Sequence, residues 1–499
     1  MEEQTEGAWR DALVQMGAFT HDEFAPGEME TLGVFGGYCY LNASVTRILG
    51  ERGPGLSAQM MDDLFFGAQP GIPPYEVAAG DQNEERTAAI GAVFQWAMTT
   101  DRLDIPAEAA TLVDSIRAAR PNLEAMTNQE LWEYARKLYT TYLRRFFGEH
   151  IFITFISTVP VGALTQICAA VGRPEDAMRL ISGVGDVESA APSMAMWRLG
   201  RMVASDPSLT AAFDEGIDGL AARLKALGPA GSAFNAQFEQ FIKDYGSRGP
   251  NEWEIRSNTW ETRPELALAA IDRMRLAPET ASPMMRNKRR FRRCRGGARG
   301  LGCSTRRRLF RATTVASRAR GAGSRRGLVK DGEMDAWLKD PRPLRAEIAR
   351  RRDLMAAYAN LQEPFVFWGT QPDVSTWPAR GATAIEPVKA GDVLTGFPGC
   401  PGQVTGVARV ILDPIDPTAL EPGDILVAPI TDPSWTPLFV SAGGVIVDVG
   451  AAQSHAMIVS RELGIPCVPS VTNGTRRIPN GATVTVNGDA GTVTIVALP

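Results

Sequence analysis

The hydrophobic period of this 499-residue chain changes once, near residue 391, and that change limits what each half can fold into. Before it, segments such as NQELWEYARKLYTTYLRRFFGEH and SLTAAFDEGIDGLAARLKALG carry apolar residues at i, i+3, i+4 and i+7, the period of a helix with one buried face. After it, short β-branched runs (GQVTGVARVIL, DILVAPI, GVIVDV, ATVTVNG and GTVTIVAL) alternate with turn residues. Between the two lies TWPARGATAIEPVKAG, residues 376–391, rich in Pro, Gly and Ala and read as a linker. The pattern predicts a multidomain protein. A mainly α-helical domain covers residues 1–375, and a compact α/β domain covers residues 392–499.

Charge is distributed as unevenly as period. Residues 286–330 hold 15 Arg and two Lys with no Asp or Glu, so the rest of the chain carries 35 basic against 57 acidic residues, a net charge of −22. A basic run of this kind suggests a polyanion-binding arm, but it lacks interleaved aromatics and helical periodicity, which makes nucleic acid an unlikely partner. A local reading-frame shift in a GC-rich gene and a genuine basic loop remain open readings. The six cysteines have no CxxC spacing, and three histidines assemble no zinc pattern, so no metal site is expected. An acidic N-terminus without an apolar core argues against a secretory leader, and a cytoplasmic setting is expected. The uncharged stretch 151–172 contains Pro160 and Gln166, which favours a buried helix pair broken at Pro160 over a membrane span.

Chemistry concentrates in GGVIVDVGAAQSHAMIVSRELGIPCVPS, residues 443–470. A buried strand, Val445 to Val449, runs into the small residues Gly450, Ala451 and Ala452. Ser454 and His455 then open a helix with Met457, Ile458 and Leu463 on its apolar face, and Gly464-Ile465-Pro466 stops it. A helix N-terminus presents unpaired N–H groups and a positive dipole end, which stabilise an anion without a metal. The same field disfavours imidazolium and keeps His455 nucleophilic. Ser454 caps the helix or donates to the anion.

With PGQVTGVARV, LEPGDILVAPITDPSWTP and the closing NGATVTVNGDAGTVTI, this segment resembles the phosphohistidine swivelling domain of the PEP-utilizing enzyme family, over about 100 residues from Gly399 onward. The resemblance implies that His455 is the phosphorylated histidine. It departs from the family at one point: the usual Gly-Gly ahead of Ser-His is Gly450-Ala451, which narrows the freedom of the turn. Upstream, FIKDYGSRGPNEWEIRSNTWETRPE is similar to the substrate-binding motif of rifampin phosphotransferase-like proteins. That similarity makes Arg248 and Glu252 candidates at the acceptor, with Tyr245 beside them. Arg248 would steady the phosphoryl charge, and Glu252 would orient or deprotonate a hydroxyl. An internal Arg–Glu pair pinning a turn is the alternative, and Ser247 stands where family members often have His. His150, after an aromatic-rich helix, is a candidate lining residue, with ordinary packing as its alternative. His21 receives no role.

No Walker loop and no Gly-rich loop followed by a phosphate-binding Lys is present. The resemblance therefore implies that Mg-ATP binds a separate ATP-grasp subunit and that no cofactor is held tightly by this chain. The expected cycle phosphorylates His455, rotates the α/β domain on the linker, and delivers the group to a small-molecule hydroxyl. That acceptor is a phenol, as in split enzymes of the phenylphosphate synthase type, or alternatively an antibiotic. A non-catalytic binding protein that retains the swivel fold is the rival outside enzymes.

Overall fold

A computed structural model describes residues 2–499 except 25–30, 37, 68, 70, 102, 174–175, 182–189, 251–256, 280–327, 368–372, 383–384, 416–418 and 453. The chain divides into two compact units. The first comprises Met1–Asp63, Pro70–Gln166 and Ala312–Ile385; the second comprises Leu64–Gln69, Ile167–Arg311 and Glu386–Pro499.

The first unit is helical apart from one hairpin, in which β1 (Leu32–Phe35) pairs antiparallel with β2 (Tyr38–Leu41). Its helices begin where side chains cap them: Asn42 accepts from the Ser44 amide, and Thr127 and Glu130 form a reciprocal capping box. The expected helix over residues 128–150 runs through a π-turn, Tyr139–Leu143, and then continues as Arg144–Ala170. This corrects the expectation of a buried helix pair broken at Pro160. The helix passes through Pro160, which removes one intrahelical donor without ending the spiral, and burial is continuous only near Ile151–Ile156. By length and composition the helical run Asn128–Ala170 is apolar enough to cross a membrane, and 28% of its most apolar window is buried. Part of the linker is also packed within this unit. Trp377 is buried, and Arg380 pairs with Glu363 and donates to the Ala359 carbonyl.

The second unit is built on a seven-stranded mixed sheet of order β3-β9-β8-β4-β5-β6-β7. Its strands are β3 (Val393–Thr395), β4 (Gln403–Val410), β5 (Ile425–Ala428), β6 (Gly444–Val447), β7 (Cys467–Val468), β8 (Thr483–Asn487) and β9 (Thr492–Ala497). Strands β4 to β7 are parallel, whereas β3, β9, β8 and β4 are antiparallel neighbours. Strands β5 and β6 are buried at every position, as expected for parallel strands covered on both faces. Alternation then sorts their side chains. Ile425, Val427, Ile446 and Val468 join one apolar cluster with Val484, Val486 and Val493. Leu426, Ala428, Val445 and Val447 join another with Met457, Leu438 and Phe439. That second cluster extends to Trp197, Phe213, Phe234, Tyr245 and Met274, from helices within residues 191–276. The compact units therefore cut the chain differently from its composition, because the packing partners of the α/β domain include helices that precede the linker.

Candidate functional site

Parallel strands end together, and the crevice beyond their carboxyl ends is where α/β folds gather functional groups. Here β5 leads into Thr431 and a short turn, Pro433–Trp435, followed by the helix Thr436–Ser441; β6 leads into Asp448–Gly450 and the helix His455–Leu463. Gly464 stops that helix in the left-handed conformation (φ 68°), as the sequence predicts.

Two hydroxyls hold the His455 ring. Nδ1 lies 3.1 Å from Thr431 Oγ1, and Nε2 lies 3.3 Å from Thr436 Oγ1. Thr436 donates its own hydrogen to the Pro433 carbonyl at 2.8 Å, so its oxygen is the acceptor for Nε2–H, and Thr431 donates to Nδ1. A hydroxyl donates or accepts as needed, so the opposite neutral tautomer is also satisfied, with Nδ1–H donating to Thr431 and the Nε2 lone pair released. Phe439 packs edge-on to the ring, with centroids 5.8 Å apart at 85°. Thr431 and Thr436 are both buried, so the ring orientation is fixed by groups shielded from water. Sequence reasoning missed both threonines. They lie within the quoted ITDPSWTP run, and its two hydroxyls five residues apart, flanking a helix-initiating Thr-Pro, were the available signal.

Ser454 occupies the N-cap position with extended backbone (φ −62°, ψ 157°), yet its side chain makes no capping bond, and its buried Oγ has no hydrogen-bond partner. Among the described residues, the amides of Gly450, Ala451, Ala452, Ala456 and Met457 donate to no described group. Unpaired amides at a helix start, beside an unpartnered hydroxyl, form an environment in which an anion is stabilised. Gly450 allows a close approach. A Cβ there would sit 3.0 Å from Ser454 Oγ and 3.1 Å from Pro469 Cβ. Ala451 is not at positive φ, so the alanine that departs from the family pattern fits without strain.

Asp448 follows β6 and is deeply placed. Its carboxylate accepts from the Thr475 amide at 2.8 Å and from the Thr475 hydroxyl, while burial outweighs these bonds and pushes its pKa up to about 6. Burial also pushes the Cys467 thiol up to about 12, which keeps it protonated.

The acceptor candidates are only partly brought together. Tyr245 and Arg248 lie in the second unit with Ser454 and His455, and both are buried. Their turn is braced through the backbone: Arg248 N donates to Tyr245 O, Trp260 N to Arg248 O, and Glu261 N to Gly246 O. Phe234, Phe238, Phe241 and Tyr245 form a row of ring contacts along the helix Pro229–Tyr245, and Trp260 joins it at Phe241, 5.4 Å between centroids. Glu252 lies outside the described residues. His150 belongs to the first unit, where its ring lies 6.3 Å from that of Phe147.

The site's construction matches known proteins over two segments. Residues 149–325 match the rifampicin phosphotransferase fourth domain, and residues 420–491 match the mobile domain of PEP-utilising enzymes. The chain is 39% identical over 150 residues to a rifampicin phosphotransferase of Streptomyces sviceus, covering 30% of this chain and 16% of that protein. It is 39% identical over 147 residues to the prodigiosin synthesizing transferase PigC of Serratia marcescens (29% and 16%). A probable phosphoenolpyruvate synthase of Staphylothermus marinus is 42% identical over 116 residues (23% and 14%). The matched stretches thus span about a sixth of these relatives. In these two segments the chain is similar to proteins of the PEP-utilising enzyme family.

Proposed function

We propose that this chain is a phosphotransferase component that carries a phosphoryl group on His455 and passes it to the hydroxyl of a small molecule. The observation that supports this most is the ring itself, held between two threonine hydroxyls at the start of a helix beside unpaired amides. In the first half-reaction a ring nitrogen forms a P–N bond as the P–O bond of the nucleotide breaks, while the other nitrogen keeps its proton on a threonine. The amides and Ser454 offset the charge of the bound group. In the second half-reaction an acceptor oxygen forms the new P–O bond, the P–N bond breaks, and the hydroxyl proton leaves to a base. Arg248 would steady the group during that transfer, with Tyr245 beside it; His150 and Glu252 stand as further acceptor-side candidates.

The nucleotide, Mg-ATP, would bind an ATP-grasp partner subunit, because no phosphate-binding loop is recognisable in this sequence. A phenol such as a hydroxyacetophenone is the proposed acceptor, as the resemblance to split phosphotransferases implies. The antibiotic reading is favoured by the names of two relatives, the rifampicin phosphotransferases. Acceptor screening with the chain, source-cell extract and ATP separates them. Conversion of ATP to AMP that depends on the added phenol is expected; dependence on rifampicin alone would replace the phenol, and dependence on no hydroxyl compound would remove the acceptor role.

A further inference from the structure

Every second carbonyl of the loop leading to His455 accepts a hydrogen bond from a side chain, and the three donors come from separate parts of the chain. Gln69 Nε2 donates to Asp448 O at 2.6 Å, Ser470 Oγ to Gly450 O, and Arg461 Nη1 to Ala452 O at 2.7 Å. A peptide is planar and trans, so holding a carbonyl fixes the opposed direction of the next amide. Pinning Asp448 O and Gly450 O therefore orients the Val449 amide, which bonds Pro429 O at 3.0 Å, and the unpaired Ala451 amide. The arrangement includes backbone strain at Ser470, a non-glycine residue at φ 58° whose hydroxyl makes the middle contact.

One of these contacts is made by a short segment, and a second lies against it. Leu64–Gln69 belongs to the second unit, although the chain up to Asp63 and from Pro70 belongs to the first. Gly67 has φ 64°, and a Cβ added to it would fall 2.3 Å from Ser470 Oγ and 2.8 Å from Gly450 O. The backbone at 67 thus lies directly on the Ser470–Gly450 bond, and Gln69 takes the carbonyl two residues earlier. Only glycine combines that conformation with that approach.

We propose that Gly67 and Gln69 form a clasp on the carrier loop, as positioning residues that hold Asp448–Ala452 in the form that receives the phosphoryl group at His455. The inference rests on the phosphohistidine reading above and deepens it. It assigns a role in phosphoryl transfer to residues nearly four hundred positions away from the carrier in sequence. Without the clasp the Asp448 and Gly450 peptides rotate more freely, and the amides beside His455 no longer converge as a preorganised set.

Phosphoramidate tests this without a partner protein, because a histidine nitrogen displaces ammonia from it, forming one P–N bond as the other breaks. The full chain would be treated as wild type, His455→Ala, Gln69→Leu and Gln69→Glu, with label uptake and lifetime followed by phosphorus NMR. Three histidines are present, so His455→Ala gives the background from His21 and His150. Gln69→Leu is expected to label about tenfold more slowly at His455, the size of one lost hydrogen bond, with only a small drop in thermal midpoint. Its His455 ring nitrogen shifts are expected to move, a signature that a merely structural role would leave alone. Gln69→Glu, which sets a carboxylate against a carbonyl, is expected to lose more. Wild-type rates, lifetimes and ring shifts in both variants would overturn the clasp alone. Wild type labelling no faster than His455→Ala would instead overturn the phosphohistidine reading, and the clasp with it.

Discussion

Among the described residues, the two segments proposed to handle the phosphoryl group show different kinds of bracing. Around His455 side chains hold the loop and the ring: Arg461, on the helix that His455 opens, and Ser470 tie loop carbonyls, and Thr431 and Thr436 tie the ring. Around Arg248 the bonds described run along the main chain, from Arg248 N to Tyr245 O, Trp260 N to Arg248 O and Glu261 N to Gly246 O. Side-chain bracing fixes atoms while leaving loop amides without internal partners, which suits a site that must receive and release an anion. Backbone bracing closes a turn and sets the origin of a long side chain, which suits a group that reaches toward a ligand. Damage at the first site is expected from deleting the side chains that hold its carbonyls, and damage at the second from disturbing the backbone of its turn.

Arg461→Met is expected to have the largest effect. It removes a charged donor from the part-buried Ala452 carbonyl, and a hydrogen bond from a charged group is worth about 1.5–3 kcal/mol. Labelling of His455 by phosphoramidate should fall more than tenfold while the Tyr245–Arg248 turn is untouched. Next in size is the pH response of Asp448. Its folded pKa, about 6, lies above the ordinary 3.8, so its favourable contribution is complete below about 4 and is lost as pH rises past 6. The loss is on the order of 3 kcal/mol at most. Asp448→Asn keeps an acceptor for the Thr475 amide and should flatten denaturant midpoints between pH 4 and 6; a slope as steep as wild type would contradict this.

Gly249→Ala probes the other mode. Its Cβ would fall 2.7 Å from Asn258 O and 2.8 Å from Thr259 Cα, so the turn must shift at a cost of about 1–3 kcal/mol. Label should still enter His455 at the wild-type rate but leave to the acceptor more slowly. Gly450→Ala should have the smallest effect, about 1 kcal/mol, because Ser454 Oγ and Pro469 need move only a few tenths of an ångström. Its signature would be a several-fold slower uptake with near-normal stability.

Features with a local physical cause were legible in the sequence. The β-branched runs became β4, β5, β8 and β9, and the Ser-His helix ended at Gly464, because strand period and left-handed glycine act within a few residues. Long-range features were not. Nothing local indicates that Gln69 bonds Asp448, that Trp377 of the linker is buried, or that helices between residues 191 and 276 share an apolar cluster with the mobile domain. Pro160 misled because a proline's usual effect on a helix is a tendency, which a long apolar helix absorbs here. Thr431 and Thr436 were on the page but indistinct, since a hydroxyl acquires a role only when a ring is placed against it.

The central claim, that His455 carries the phosphoryl group, is tested most directly by labelling. Wild-type and His455→Ala chains would be incubated in source-cell extract with ATP labelled at the β-phosphate, and then assayed for acid-labile, base-stable label. The account predicts label on the wild type and none on His455→Ala. No label on either, with the mobile domain shown to be folded, or equal label on both, would contradict it.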